Sequence, residues 1–68
     1  MNNTFYLNKR LEEWQPEMSI RNLLDKKEYN FRMLVIKIDN KLIKKSDYDT
    51  AIIPLHADVQ ILHLMSGG

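Results

Sequence analysis

The 68-residue sequence has no cysteine, only two glycines and two prolines, and no long apolar run. The lack of cysteine excludes disulfides, thiolate metal sites and thiol nucleophiles. Without an apolar run near about 18 residues, the chain has no segment suited to span a membrane as a helix. The first ten residues also lack the basic start and apolar stretch of a secretion signal. We therefore expect a cytoplasmic protein.

Charge is nearly balanced along the chain, with ten Lys and Arg against nine Asp and Glu and a net charge of +1. Long-range attraction to nucleic acid or to an anionic membrane should therefore be weak, and we expect neither as a partner. The basic segment "NKLIKKSD" at 40–47 includes apolar Leu42 and Ile43. This pattern favours a solvated hairpin face over a phosphate-binding patch. A hydrophobic content of 44% predicts one folded domain.

The amino-terminal half predicts a hairpin followed by a helix. The segment "TFYLNKRLEEW" at 4–14 is typical of two strands with a turn at Asn8 and Lys9. Ser19 suits a helix N-cap. The residues after it place apolar side chains at i, i+3 and i+4, which predicts one buried helix face formed by Ile20, Leu23 and Leu24.

The carboxyl-terminal half predicts three strands. The segment "FRMLVIKIDNKLIKK" at 31–45 is the clearest hairpin, because aliphatic residues alternate along it and "DN" at 39–40 tolerates a tight turn. An irregular connection follows, and "VQILHLM" at 59–65 forms the last strand.

This order of elements predicts an α+β fold, the ubiquitin-like β-grasp, in which a mixed sheet of four to five strands packs on one helix. In that arrangement the first and last strands lie side by side and parallel at the centre of the sheet. Residues 1–64 would form the domain, and residues 65–68 would form a flexible tail able to extend at most about 14 Å.

Alternation along the last strand predicts which side chains face the solvent. Val59 falls on the helix side, whereas Leu62 and Leu64 fall on the opposite face. Val35 and Tyr6 would join that face from neighbouring strands. An exposed aliphatic patch beside a tail is typical of a docking surface for a partner protein. Scattered surface apolar residues, or an error in the alternation, are the alternative.

The two histidines and the single tryptophan have structural explanations. His63 falls on the core side of the last strand, which favours packing over proton transfer. His56 and Asp58 resemble a ligand pair, but two ligands without a third favour turn residues, and we expect no metal site. Trp14 is expected to cover one end of the core. Since no catalytic set of side chains is present, we do not expect an independent enzyme.

These segments resemble a known family, the ThiS-type sulfur carriers of thiamine biosynthesis, relatives of MoaD and more distantly of ubiquitin. The terminal pair Gly67 and Gly68 is the most specific element of the resemblance. The other matching segments are "YLN" at 6–8, "MSIRNLL" at 18–24, "VIKIDNKLIKKSDY" at 35–48 and "DVQILHLMSGG" at 58–68.

The sequence departs from the family pattern at its turns. Lys9 and Asn40 stand where the family usually has turn glycines, and His56 and Ala57 replace the usual Gly-Asp before the last strand. Asn tolerates positive φ at modest cost, whereas Lys and His do so less readily. The departures concern local turn geometry and leave the tail unaffected.

The resemblance implies a covalent carrier that is a protein cosubstrate and binds no cofactor itself. A ThiF-like adenylating enzyme would use ATP to attach AMP to the carboxyl of Gly68. A persulfide sulfur donor would then displace AMP to give a thiocarboxylate, and a thiazole synthase would receive the sulfur. Ser66 and Gly67 would form the narrow end of the chain that enters the ATP site of the adenylating enzyme.

Two other functions are compatible with the sequence. One is a MoaD-like carrier for molybdopterin or another sulfur acceptor, although the short length favours the ThiS type. The other is a non-covalent β-grasp interaction module or a ubiquitin-like modifier. For the glycine pair itself, a frayed or truncated terminus is the alternative to a functional tail.

Overall fold

The computed structural model describes residues 3–29 and 33–63 of the chain. These residues form five β-strands and an α-helix, and a short 3₁₀ helix at Lys45–Asp47 follows the fourth strand. None of the helices in these two ranges has the length and apolarity needed to cross a membrane. The elements are strand β1 (Thr4–Leu7), strand β2 (Arg10–Glu13), helix α1 (Ile20–Lys26), strand β3 (Leu34–Ile38), strand β4 (Lys41–Ile43) and strand β5 (Asp58–His63).

The strands form one mixed sheet in the order β2-β1-β5-β3-β4. β1 and β5 are parallel, with Tyr6 opposite Asp58. β3 lies antiparallel on the other side of β5, from Ile38 opposite Val59 to Leu34 opposite His63. The predicted α+β fold, a ubiquitin-like β-grasp with its first and last strands adjacent and parallel, is confirmed.

Helix α1 begins where the sequence predicts it. Ser19 is the N-cap, and its hydroxyl oxygen accepts a hydrogen bond from the Asn22 amide N–H at 3.1 Å. The Asn22 side-chain oxygen accepts in return from the Ser19 N–H at 3.0 Å, which completes a capping box. Seven residues make a marginal helix in isolation, so α1 depends on its packing against the sheet. Its buried residues are Ile20, Leu23 and Leu24.

The core lies between α1 and one face of the sheet. Its fully buried large side chains come from three strands, the helix and the irregular connection before β5. Trp14 packs half-buried against this cluster, as predicted, and its indole N–H donates to the Ile53 carbonyl at 2.7 Å. The fully buried large residues are Phe5, Ile20, Leu23, Ile36, Ile53 and Val59.

Of the four positions that depart from the family's turn pattern, three have positive φ, at 69° for Lys9, 68° for Asn40 and 64° for His56. The turns therefore keep a left-handed backbone although glycine is missing. A residue with a Cβ is less favourable in this region than glycine, so each turn carries a local cost. Within the described ranges, the other non-glycine residues with positive φ are Asn8, Glu17, Glu28 and Asp39.

Glu28 ends helix α1 in a position that usually holds glycine. It follows the C-cap residue Lys27 and has φ of 57°. The Glu28 N–H donates to the Asp25 carbonyl at 3.2 Å, and the Tyr29 N–H donates to the Leu24 carbonyl at 2.9 Å. This pair of hydrogen bonds is the Schellman motif, in which the left-handed residue is most often glycine.

We expect Glu28→Gly to stabilise the protein, because glycine adopts positive φ without a Cβ clash. The expected gain is about 1 kcal/mol, equivalent to a rise of about 4 to 8 °C in Tm for a chain of this size. The measurement is thermal unfolding followed by circular dichroism. Glu28→Ala is the matched control, since it removes the charge but keeps a Cβ. An equal gain in both variants would assign the effect to the charge at the helix end.

Candidate functional site

β5 is the last described strand, and its two neighbours hold it unequally. β3 pairs with β5 along its length to His63. β1 pairs with it only at Tyr6 opposite Asp58 and Leu7 opposite Val59, because the chain turns at Asn8. Beyond Val59, backbone pairing from β1 has ended while β5 continues.

The side chain of Asn8 continues the hydrogen bonding to β5 where backbone pairing from β1 has ended. Its amide nitrogen donates to the Ile61 carbonyl at 3.1 Å, and its amide oxygen accepts from the Ile61 N–H at 2.9 Å. The Asn8 backbone N–H also donates to the Val59 carbonyl at 2.9 Å. A carboxamide carries one acceptor oxygen and N–H donors, as a peptide group does, so it continues the ladder by two residues. β5 is thus held on both sides up to Ile61.

The sequence predicts Asn8 only as a turn residue and does not predict this long-range contact. Asparagine is common in such turns for local reasons, because it tolerates positive φ. The sequence therefore carried no separate signal that its side chain reaches a residue 53 positions away.

Val35 and Leu62 form a partly exposed apolar pair beside the end of β5. They are direct cross-strand partners on the face of the sheet opposite α1. The Leu62 side chain is 50% exposed, and Val35 is half-buried. Val59 and Ile61, which alternate with Leu62, are buried, as the pattern of the strand predicts. We call these two residues the Val35–Leu62 pair.

Tyr6 lies on the same face but at a distance from this pair. It is 45% exposed and stands opposite Asp58, four residues before Leu62 on β5. Four strand residues span about 13 Å. Its partner on β2 is the exposed Leu11. The predicted patch therefore divides into two groups, and the structure brings together Val35 and Leu62 without Tyr6.

The remaining predicted site residues lie outside the described residues. These are Leu64, Ser66, Gly67 and Gly68, together with the predicted boundary between residues 1–64 and 65–68. The last described residue, His63, is exposed, so the prediction that it packs in the core is wrong. It lies on the helix side of β5, but α1 does not bury it.

The described residues contain no cluster suited to metal binding, since no group of three or more His, Cys, Asp and Glu is brought together there. His56 lies in a turn, as predicted. The Asp58 backbone N–H donates to a carboxylate oxygen of Asp39 at 2.9 Å, which ties the start of β5 to the β3–β4 turn.

No protein-family model matches the sequence. No curated protein is significantly similar to it in sequence. A similarity is found among solved structures, in the crystal structure of the thiamine biosynthesis protein ThiS from Geobacter metallireducens. The TM-score is 0.78 and the sequence identity is 13%, and the match covers 96% of this chain and 99% of that chain. At this identity the similarity shows a shared fold.

Proposed function

We propose that this protein is a sulfur carrier whose Gly68 carboxyl is adenylated and converted to a thiocarboxylate, which donates sulfur for the thiazole of thiamine. The observation that carries the proposal is the Gly67–Gly68 pair, which occupies the fourth and fifth positions after the central strand of a ThiS-type fold. Neither part would be specific alone, because the fold hosts several functions and a glycine pair can arise by chance.

The chemistry explains why activation is needed. A carboxylate is a poor electrophile, so one of its oxygens would first attack the α-phosphorus of ATP and release pyrophosphate. The terminal sulfur of a persulfide would then attack the carbonyl carbon and displace AMP, which leaves an acyl disulfide. A second thiol would attack the sulfur of the donor and release the thiocarboxylate. The ATP is bound by the partner.

The role of the described residues in this reaction would be to position the Gly68 carboxyl. β3 and the Asn8 side chain hold β5 on both sides up to Ile61, so this part of the strand has a fixed position in the sheet. From His63, five further residues can extend by at most about 18 Å. A partner that binds the sheet near His63 would therefore control where the Gly68 carboxyl can reach.

We propose the Val35–Leu62 pair as the docking surface for a ThiF-like adenylating enzyme. An apolar surface beside the end of β5 gives the partner a contact area close to the proposed reacting group, the Gly68 carboxyl. A persulfide sulfur donor and a thiazole synthase complete the set of proposed partners. In this scheme the protein is a cytoplasmic cosubstrate, and its partners carry out the catalysis.

The test is the intact mass of the protein after incubation with a ThiF-like adenylating enzyme, ATP, a persulfide donor and a thiol reductant. We expect a gain equal to the difference between one sulfur and one oxygen atom, and no gain when ATP is omitted. Because the sequence has no cysteine, a thiol-alkylating reagent gives a second readout specific to the new sulfur. An unchanged mass would contradict the proposal and favour a β-grasp interaction module.

A mass gain leaves the sulfur acceptor to be identified. Transfer of sulfur from the isolated thiocarboxylate to a thiazole synthase supports the thiamine pathway. Transfer only to a molybdopterin precursor supports the MoaD-like alternative.

A further inference from the structure

A second surface lies between α1 and the β3–β4 hairpin; Val35 of the Val35–Leu62 pair also lines it, whereas Leu62 does not. It is a groove of about 480 Å³ that is open to solvent on one side. This volume lies within the range of binding sites that take several side chains or a small ligand. Its floor is apolar and aromatic, and its rim is basic.

The groove lies beyond the end of α1. The helix ends at Lys26, and in the Schellman turn that follows, the Tyr29 N–H donates to the Leu24 carbonyl while Tyr29 packs, partly buried, against the core. Leu34 on β3 and Ile43 on β4 pack against the core and are only partly buried. These side chains line the groove, so their exposed parts form its floor.

The rim carries positive charge without a carboxylate among the lining residues. It consists of Arg21 on α1 and the consecutive Lys44 and Lys45 after β4. Arg21 pairs with Asp49 at 3.0 Å, at an exposed position. Within the described part of the chain, Lys44 and Lys45 form no ion pair. Two cations therefore stand available beside an apolar floor.

Tyr48 also lines the groove. It is buried, and the Arg21 guanidinium carbon lies 5.9 Å from the centre of its ring. Burial raises the pKa of the Tyr48 hydroxyl above its usual value of 10.0, although the Arg21 charge opposes the shift. The hydroxyl is neutral at physiological pH and can donate or accept a hydrogen bond.

We propose that this groove binds an acidic, amphipathic segment of a partner protein. Apolar side chains of the segment would cover Leu34 and Ile43, and its carboxylates would meet Lys44 and Lys45. Charge complementarity argues for an acidic occupant, and the apolar floor argues for one with aliphatic or aromatic side chains. The groove is open and has an apolar floor beside a basic rim. A peptide segment suits such a groove, because its apolar side chains can contact the floor while its carboxylates contact the rim.

The groove lies beside the end of β5, because Leu34, which lines it, is the cross-strand partner of His63. A bound segment would therefore lie near His63, the last residue of β5. The inference does not depend on the sulfur-carrier proposal, and the experiment below measures binding without any sulfur chemistry.

The test uses a fluorescein-labelled synthetic helical peptide with Leu and Phe on one face and Asp and Glu on the other. A control peptide carries Gln in place of every acidic residue. We expect the acidic peptide to bind more tightly in fluorescence anisotropy, and added salt to weaken its binding without abolishing it, because only the charged part is screened. Amide chemical shifts should change at Leu34, Ile43 and Tyr48.

The variants separate the groove from general surface charge. Lys44→Glu with Lys45→Glu should weaken binding by about tenfold or more, through lost attraction and new repulsion. Lys9→Glu with Lys26→Glu changes the net charge equally, in the β1–β2 turn and on the face of α1 opposite Leu24, and should have little effect. Met33→Ser tests the apolar part, since Met33 lines the groove and is 52% exposed.

Three results would overturn the proposal. Equal weakening by the two charge-reversed pairs would indicate general attraction to a basic protein. Shift changes at Tyr6 and Leu62, with none at Leu34, Ile43 and Tyr48, would place the peptide on the other face of the sheet. Binding of a single-stranded oligonucleotide through Lys44 and Lys45, with no binding of the acidic peptide, would indicate a nucleic-acid surface.

Discussion

An alanine added after Gly68 is expected to abolish thiocarboxylate formation while thermal unfolding stays the same. The added residue moves the carboxyl by about 3.5 Å along an extended chain. It also places a methyl group on the carbon next to the reacting carbonyl. Misplacement of about 1 Å can already cost about a hundredfold in rate, so the combined change should remove detectable product.

Two further variants separate displacement from obstruction. A glycine added after Gly68 moves the carboxyl by the same distance without adding a methyl group, and Gly67→Ala adds a methyl group without moving the carboxyl. Substantial losses in both would show that the partner site is sensitive to position and to width. Stability should change by no more than about 0.5 kcal/mol in either, as at exposed sites generally.

Product is measured by intact mass and thiol alkylation, with rates taken over a series of adenylating-enzyme concentrations. Ser66→Ala is the matched control, because it keeps the chain length and leaves both glycines in place. If the extended variants and Gly67→Ala form product at the parental rate, the glycine pair is incidental and the proposed attachment at Gly68 is wrong.

Local patterns in the sequence were sufficient to predict the fold, because they predict the individual strands and the helix, and the order of these elements restricts how the sheet can be arranged. Alternation predicted β3 and the buried side of β5, and Ser19 followed by apolar residues at helical spacing predicted α1. Once the order of elements was known, few arrangements place the first and last strands together in a mixed sheet. The turns kept their left-handed backbone even where Lys9 and His56 replace glycine.

The sequence could not place Tyr6 relative to Leu62, because alternation fixes the face of a strand and not its register. Pairing of Tyr6 with Asp58 is a property of the folded sheet, and it separates the two side chains along β5. The same limit applies to His63, whose side was predicted but whose burial depends on how far α1 extends. The Asn8 contact with Ile61 likewise joins residues that no local pattern connects.

Leu62→Asp is expected to weaken capture by a ThiF-like adenylating enzyme by about tenfold or more, because docking would bury a charge against an apolar surface. Leu62 is 50% exposed, so the variant should remain folded and lose at most about 1 kcal/mol from the poor strand propensity of Asp. Binding is measured by titrating labelled protein with the enzyme, and folding by thermal unfolding. Leu62→Ser is a second variant that removes the apolar contact without adding charge.

Tyr6→Asp is the matched control, since Tyr6 has similar exposure on the same face but lies about 13 Å away along β5. If the Val35–Leu62 pair is the docking surface, Tyr6→Asp should weaken capture much less than Leu62→Asp. Equal losses would extend the docking surface across the sheet to β1 and β2. Unchanged capture by both Leu62 variants would remove the pair from the interface, and the adenylating enzyme would then have to hold the chain through the residues after His63.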